Sequence, residues 1–233
     1  MNRKFTVEAV SETDILVRFD AKLSPVLIQQ LSQLQLLLTK HFEATLIDTV
    51  LAYQSLLLCF APQDSRSPQQ RVELVQEQLK RLTNLQIQPQ ANAHIITLPV
   101  YYGPEAGADF EEVCQLTGLT TEALIQLHST QHYYVYALGF SPGFAFLGEL
   151  AATLQLPRRS TPRSQVPAGS VAIAHNQTAV YPQPSPGGWH LIGRCPTPLF
   201  SIEQSPPHLL GMGDKVIFQP ISREEFLACG GQL

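Results

Sequence analysis

Twelve of the chain's 18 prolines fall at or after Pro142. Proline fixes φ and donates no backbone hydrogen bond, so it bars long helices and uninterrupted central strands. From Gln131 onward the sequence therefore admits short strands joined by rigid turns. The stretch "PAGSVAIAHNQTAVYPQPSPGGWHLIGRCP", Pro167 to Pro196, shows the pattern: apolar and small polar residues alternate at the strand period, and prolines with Gly187-Gly188 break the runs. A β-barrel or compact β-sandwich is expected, with almost entirely β structure after Gln131.

The first part reads differently. "KFTVEAV" and "DILVRF" are short strands around a polar turn. Ser24-Pro25 supplies a helix cap with proline at the first helical position, ahead of "VLIQQLSQLQLLLTK". "TLIDTVLAYQSLLLCF" reads as two strands. Ser67-Pro68 opens a second helix, with Gln70 at the capping-box position. This β-β-α-β-β-α order predicts an α+β module close to a ferredoxin-like one. Leu85 to Asn92 reads as the seam, giving an N-terminal domain at 1–88 and a second domain at 89–233. Two helices are expected near 108–128, with Asp109 and Glu112 as a capping box and Gly118 as the stop.

A chain of 233 residues with 44% hydrophobic content can bury a real core. Its four cysteines lie far apart with no C-x-x-C pair, which fits reduced thiols better than a disulfide framework or zinc knuckle. The N-terminus lacks the apolar run of a signal peptide, and no segment is long enough to span a bilayer; a cytoplasmic location is expected.

The charges are segregated. From Leu82 through Pro157 there is no Lys or Arg but six acids, among them Glu105, Asp109, Glu112 and Glu149. That composition argues against a helix-turn-helix reader in "VCQLTGLTTEALIQL", since phosphates and base acceptors call for cations. From Leu150 through Ile202 there is no acid, while Arg158, Arg159, Arg163 and Arg194 are present. Either these arginines form an anion-binding pocket, or they pair with acids of the first domain or of a neighbouring chain.

"GFSPGFAFLGEL", Gly139 to Leu150, combines glycines for a tight path with Phe140, Phe144 and Phe146 for walls. It is neither a P-loop nor a dinucleotide fingerprint. His128 and His132 are four apart, but "YYVY" ends the helix between them, and "STQ" lacks the glutamate of H-E-x-x-H. His128, beside the Gly/Phe loop, is the candidate for a polar contact or proton transfer, with a structural hydrogen bond as the alternative. Ser141 in G-F-S-P-G is not a nucleophile elbow, and Cys195 beside Arg194 has no evident base.

"LHSTQHYYVYALGFSPGFAFLGEL", "LPRRSTPRSQVPAGSVAIAHNQTAVYPQPSPGGWHLIGRCPTPLF" and "GMGDKVIFQPISREEF" resemble the allophanate hydrolase subunit 1 family. The resemblance implies a cyclophilin-like β-barrel after the α+β domain. It also implies one component of a heteromeric ATP-dependent 5-oxoprolinase, the B subunit, which helps to activate 5-oxo-L-proline for ring opening to L-glutamate. ATP, with Mg, would be shared with partners, the homologous C subunit and the A subunit of that enzyme, and the isolated chain would depend on them. Two other readings stay open: a regulatory protein that inhibits a histidine kinase, and a carboxyltransferase or allophanate hydrolase component in urea or amide metabolism. On the lactam reading His128, Arg158 and Arg163 are the expected catalytic residues. Phe140, Ser141, Gly143, Phe144, Gln177, Tyr181, Trp189 and Arg194 are expected to bind substrate. His175 and Cys195 depart from the family pattern, as does "PVYYGP".

Overall fold

The structure, a computed structural model, describes residues 4–83 and 94–233. The seam expected at 85–92 lies outside the described residues. The chain divides into two compact units, Met1–Asn92 and Ala93–Leu233.

In the first unit the local signals act as their chemistry requires. The elements are β1 (Lys4–Ala9), β2 (Asp14–Asp20), α1 (Pro25–His41), β3 (Leu46–Ala52), β4 (Ser55–Phe60) and α2 (Pro68–Thr83). Ser24 Oγ caps α1 by accepting from the Leu27 amide at 3.2 Å. Ser67 and Gln70 exchange the two hydrogen bonds of a capping box. The strands form an antiparallel sheet in the order β1-β2-β4-β3. Period-2 alternation buries Ile15, Val17 and Phe19 on β2 and Leu56, Leu58 and Phe60 on β4. The helices contribute Leu31, Leu34 and Leu38 from α1 and Val75 and Leu79 from α2, each fully buried. Each such side chain contributes about 1.5–3 kcal/mol relative to exposure.

The second unit contains β5 (Ile95–Tyr102), α3 (Phe110–Thr117), α4 (Thr121–Ser129), β6 (His132–Leu138) and β7 (Ala145–Gly148). Then come β8 (Arg163–Val166), β9 (Ser170–Ala174), β10 (Gln177–Val180), β11 (Ser185–Gly187), β12 (His190–Arg194), β13 (Lys215–Pro220) and α5 (Arg223–Ala228). Seven strands in the order β6-β13-β5-β12-β9-β10-β7 close on themselves through β6–β7. Only the β13–β5 pair in this ring is parallel. β8 and β11 form a separate ribbon. Closure removes sheet edges, which suits strands of four to eight residues between prolines.

Two apolar clusters result. Inside the barrel lie Leu98, Val135, Leu147, Val171, Ile173 and Ile192. Outside it, Ala172, Ala174, Ala179 and Leu191 point the other way and pack with Phe144, Tyr181 and Trp189. Every residue of β9 is thus buried, one set on each face. Alanine on the outer face lets aromatic rings approach the strand closely.

The expectation of almost no helix after Gln131 misses α5. Ser222 and Glu225 make a full capping box there, and Phe226 is completely buried. No helix among the described residues is long and apolar enough to cross a membrane.

Candidate functional site: an aromatic pocket beside Arg158

The loop between β6 and β7 builds the site. Gly139 (φ 147°) and Gly143 (φ 80°) turn the chain, and Phe140 itself sits at φ 76°, a conformation costly for a residue with a Cβ. Gly143 admits no side chain, because a Cβ would lie 2.7 Å from the Phe200 Cβ. Phe140 is consequently held out from the surface, 64% exposed, with its ring edge-on to Phe144 at 5.2 Å. Phe144 in turn meets Tyr181 and Trp189 edge-on at 5.2 and 6.2 Å.

These rings border a cavity of about 110 Å³ whose further walls are Phe146, Arg158 and the Pro186–Gly188 turn. Phe140 and Phe144 also border an adjoining cavity of about 460 Å³ with Ser141, Gly143, Phe200 and His208. Ser141 Oγ is shielded from solvent without a hydrogen-bond partner among the described residues. Gly187 matters for shape, since a Cβ there would collide with the Tyr181 hydroxyl.

Arg158 is exposed and has no carboxylate partner among the described residues. Burial raises the Tyr181 phenol above its ordinary pKa, and Arg158 and Arg163 partly offset that rise. The pocket therefore offers planar apolar walls and one available guanidinium, with the Ser141 hydroxyl in the adjoining cavity. That combination suits a small, flat molecule carrying an anionic group.

Arg163 is placed differently from the expectation of a free anion binder. Its guanidinium meets Asp109 through two parallel bonds, Nη2 to Oδ1 at 2.6 Å and Nη1 to Oδ2 at 2.8 Å. Arg159 bonds Asp109 at 2.5 Å and Glu112 at 2.6 Å. The segregated charges thus meet within one unit: the acids of the α3 region hold two of the four arginines. Asp109 Oδ2 also accepts from the Leu191 amide at 2.8 Å. With its carboxylate so used, Asp109 makes no side-chain cap on α3, and the expected capping box is absent. Gly118 does end α3, at φ 70°.

His128 lies in the barrel interior with no exposed surface. Thr178 donates to the Ala172 carbonyl at 3.0 Å, so its oxygen accepts from His128 Nε2–H at 3.0 Å. Nδ1 is then the acceptor for the Tyr102 hydroxyl at 2.8 Å. The ring stacks on Phe218 at 4.7 Å, and burial pushes its pKa down to about 3. This is a neutral structural histidine with both nitrogens engaged, not a surface proton donor. Gln177 stands on β10 opposite Ala174 and Gly148, outside the linings of these cavities. Arg194 borders another cavity.

The closed barrel places the chain among carboxyltransferase-type domains, and the chain belongs to that family. Residues 5–210 match the model described as "Carboxyltransferase domain, subdomain C and D", in keeping with the allophanate hydrolase motifs. The chain is 35% identical over 240 residues to the B subunit of 5-oxoprolinase from Bacillus subtilis (strain 168), covering 98% of each. It is 50% identical over 123 residues to the B subunit of 5-oxoprolinase from Haemophilus influenzae, a match covering 53% of this chain and 58% of that one. The crystal structure of TTHA0988 superposes with a TM-score of 0.75 at 35% identity, covering 91% of this chain. This chain spans only 40% of the TTHA0988 chain.

Proposed function

We propose that this chain is the component of an ATP-dependent 5-oxoprolinase that holds 5-oxo-L-proline for ring opening to L-glutamate. It would work in the cytoplasm in complex with the homologous C subunit and the A subunit of that enzyme. The observation that carries the reading is Arg158, a guanidinium without a carboxylate at the rim of an aromatic pocket. In this proposal Arg158 takes the substrate carboxylate through its fork, and Phe144, Tyr181 and Trp189 flank the lactam ring. Phe140 covers the ring from the solvent side, while Ser141, whose shielded hydroxyl borders the adjoining cavity, supports the loop that carries it. Holding the carboxylate and the ring faces sets the direction from which the lactam carbonyl is attacked.

The residues here do not fit a magnesium nucleotide. Neither cavity beside Phe144 is lined by an acid that could hold the magnesium of a nucleotide. Nucleotide activation therefore belongs to the partners in this proposal, and the role of this chain is binding and orientation. The first unit fits a ferredoxin-like sheet in permuted order. Moving the last strand of β-α-β-β-α-β to the front yields β1-β2-β4-β3 with a helix after β2 and after β4. We read the closed seven-stranded barrel as cyclophilin-like, as the family resemblance implies.

The test is ADP formation by the complex assembled with the C and A subunits, with and without 5-oxoproline. Substrate-dependent ADP formation that falls at least tenfold in Arg158→Gln is expected. No substrate-dependent ADP in a stoichiometric complex overturns the proposal.

A further inference from the structure

Tyr181 also borders a third cavity, of about 430 Å³, with Pro167, Gly169, Arg194, Thr197 and Phe226 among its walls. Prolines 182, 184, 196 and 198 stiffen it. Gly169 is obligatory at φ 77°, because a Cβ would strike the Cys195 carbonyl. The lining contains one cation, Arg194, and no Asp or Glu.

Arg194 ends β12, where it pairs with Ser170 of β9 and Tyr101 of β5, so its backbone is fixed from both sides. Nη1 donates to the neutral Gln232 carbonyl at 2.8 Å. Nε is shielded from solvent and has no acceptor among the described residues. Arg18, Arg66, Arg71, Arg81, Arg159, Arg163 and Arg223 each pair with a carboxylate. Among the described arginines only Arg158 and Arg194 do not, and both line cavities. A partly desolvated guanidinium without a counter-charge is costly, and a planar or tetrahedral oxyanion satisfies its Nη edge with two parallel bonds.

We infer that the Arg194 cavity is a second ligand site, taking the carboxylate or phosphate group of a small molecule and distinct from the Arg158 pocket. The Nη–H groups not given to Gln232 form the receiving edge, and the cavity accommodates the body of a ligand larger than the ion itself. Thr197, whose amide and hydroxyl hydrogen-bond the Cys195 sulfur, is among the walls. This assignment stands on the cavity's own chemistry and does not depend on the lactam reading.

The experiment is titration of the ¹⁵N-labelled full chain with inorganic phosphate and, separately, acetate. The Arg194 Nε and the Gly169 and Thr197 amides are observed. A saturable shift with either anion is expected, retained in Arg158→Gln, lost in Arg194→Gln and weakened about tenfold in Arg194→Lys, which keeps the charge but not the fork. The anion that saturates identifies the group the site takes. Shifts that do not saturate with either anion, that persist in Arg194→Gln or that vanish in Arg158→Gln overturn the site. Should Arg194→Gln fail to fold, unchanged affinity in Arg194→Lys overturns the fork assignment by itself.

Discussion

Asp109 and Arg163, 54 residues apart, meet through two parallel hydrogen bonds of 2.6 and 2.8 Å, with the carboxylate 2% and the guanidinium 25% exposed. The contact ties the β8–β11 ribbon to the start of α3. Asp109→Ala removes the counter-charge of both Arg159 and Arg163 and strands the Leu191 amide. A loss of about 3 kcal/mol is expected, read as a lower urea midpoint at unchanged m-value. Glu112→Gln, at a half-exposed partner of Arg159, should cost less than about 1 kcal/mol.

Arg158 and Arg163 should separate function from stability. Arg158→Gln is expected to leave the melting temperature within a few degrees while raising the KM for 5-oxoproline in the assembled complex about 10- to 100-fold, the range for a lost charged hydrogen bond. Arg163→Gln should lower the melting temperature and change KM less. The reverse pattern would show that the substrate carboxylate is held by Arg163 and not by Arg158.

The buried His128 predicts a stability profile in acid. Its pKa falls from about 6.5 in the unfolded chain to about 3 in the fold, so below pH 6.5 the unfolded state binds the extra proton. Stability contributed by the neutral ring is complete above pH 6.5 and is lost as pH falls toward 3, by about 1.4 kcal/mol per unit. Asp64, held down to about 2 chiefly by its hydrogen bonds from Arg66, adds its loss only below its ordinary value of 3.8. Urea unfolding at pH 7, 6 and 5 therefore follows His128, opposed toward the acid end by Asp214, whose carboxyl burial pushes up, and His128→Gln should flatten that slope.

Gly187→Ala tests the pocket's shape. Its Cβ would collide with the Tyr181 hydroxyl, and overpacking of this kind costs about 1–3 kcal/mol. Tyr181→Phe should restore part of the loss in the double variant, a coupling measurable by a thermal-unfolding cycle.

Local chemistry makes much of this fold readable. Ser24, Ser67 and Gly118 act within four residues of themselves, so the sequence displays their partners. Proline spacing likewise signals short strands. The charge segregation is visible too, but not its resolution. Asp109 could serve α3 as a cap or serve arginines 50 and 54 residues away, and only ring closure decides that contest. In the sequence His128 is the end of a helix near a loop, while its burial depends on β5, β10 and β13 converging around it. The S-x-x-E signature of α5 is present at Ser222, but the prolines that precede it dominate the local pattern. Phe140, Phe144, Tyr181 and Trp189 stand out in the family motifs. The alanines of β9 and β10 that receive the Phe144, Tyr181 and Trp189 rings do not, because a small residue gives no signal until its neighbour is known.

The two adjacent arginines after Pro157 are chemically identical but do opposite work. Arg159 is moored by its amide to the Gly188 carbonyl at 2.8 Å and by its side chain to Asp109, leaving Arg158 to project from a fixed base. Length, more than composition, sets which arginine does which. Deleting one residue between Arg159 and Pro162 would scarcely alter the local charge or hydropathy, yet it would shift the mooring by a position and swing the projecting arm away from the rings. This segment should therefore accept many substitutions and almost no change of length.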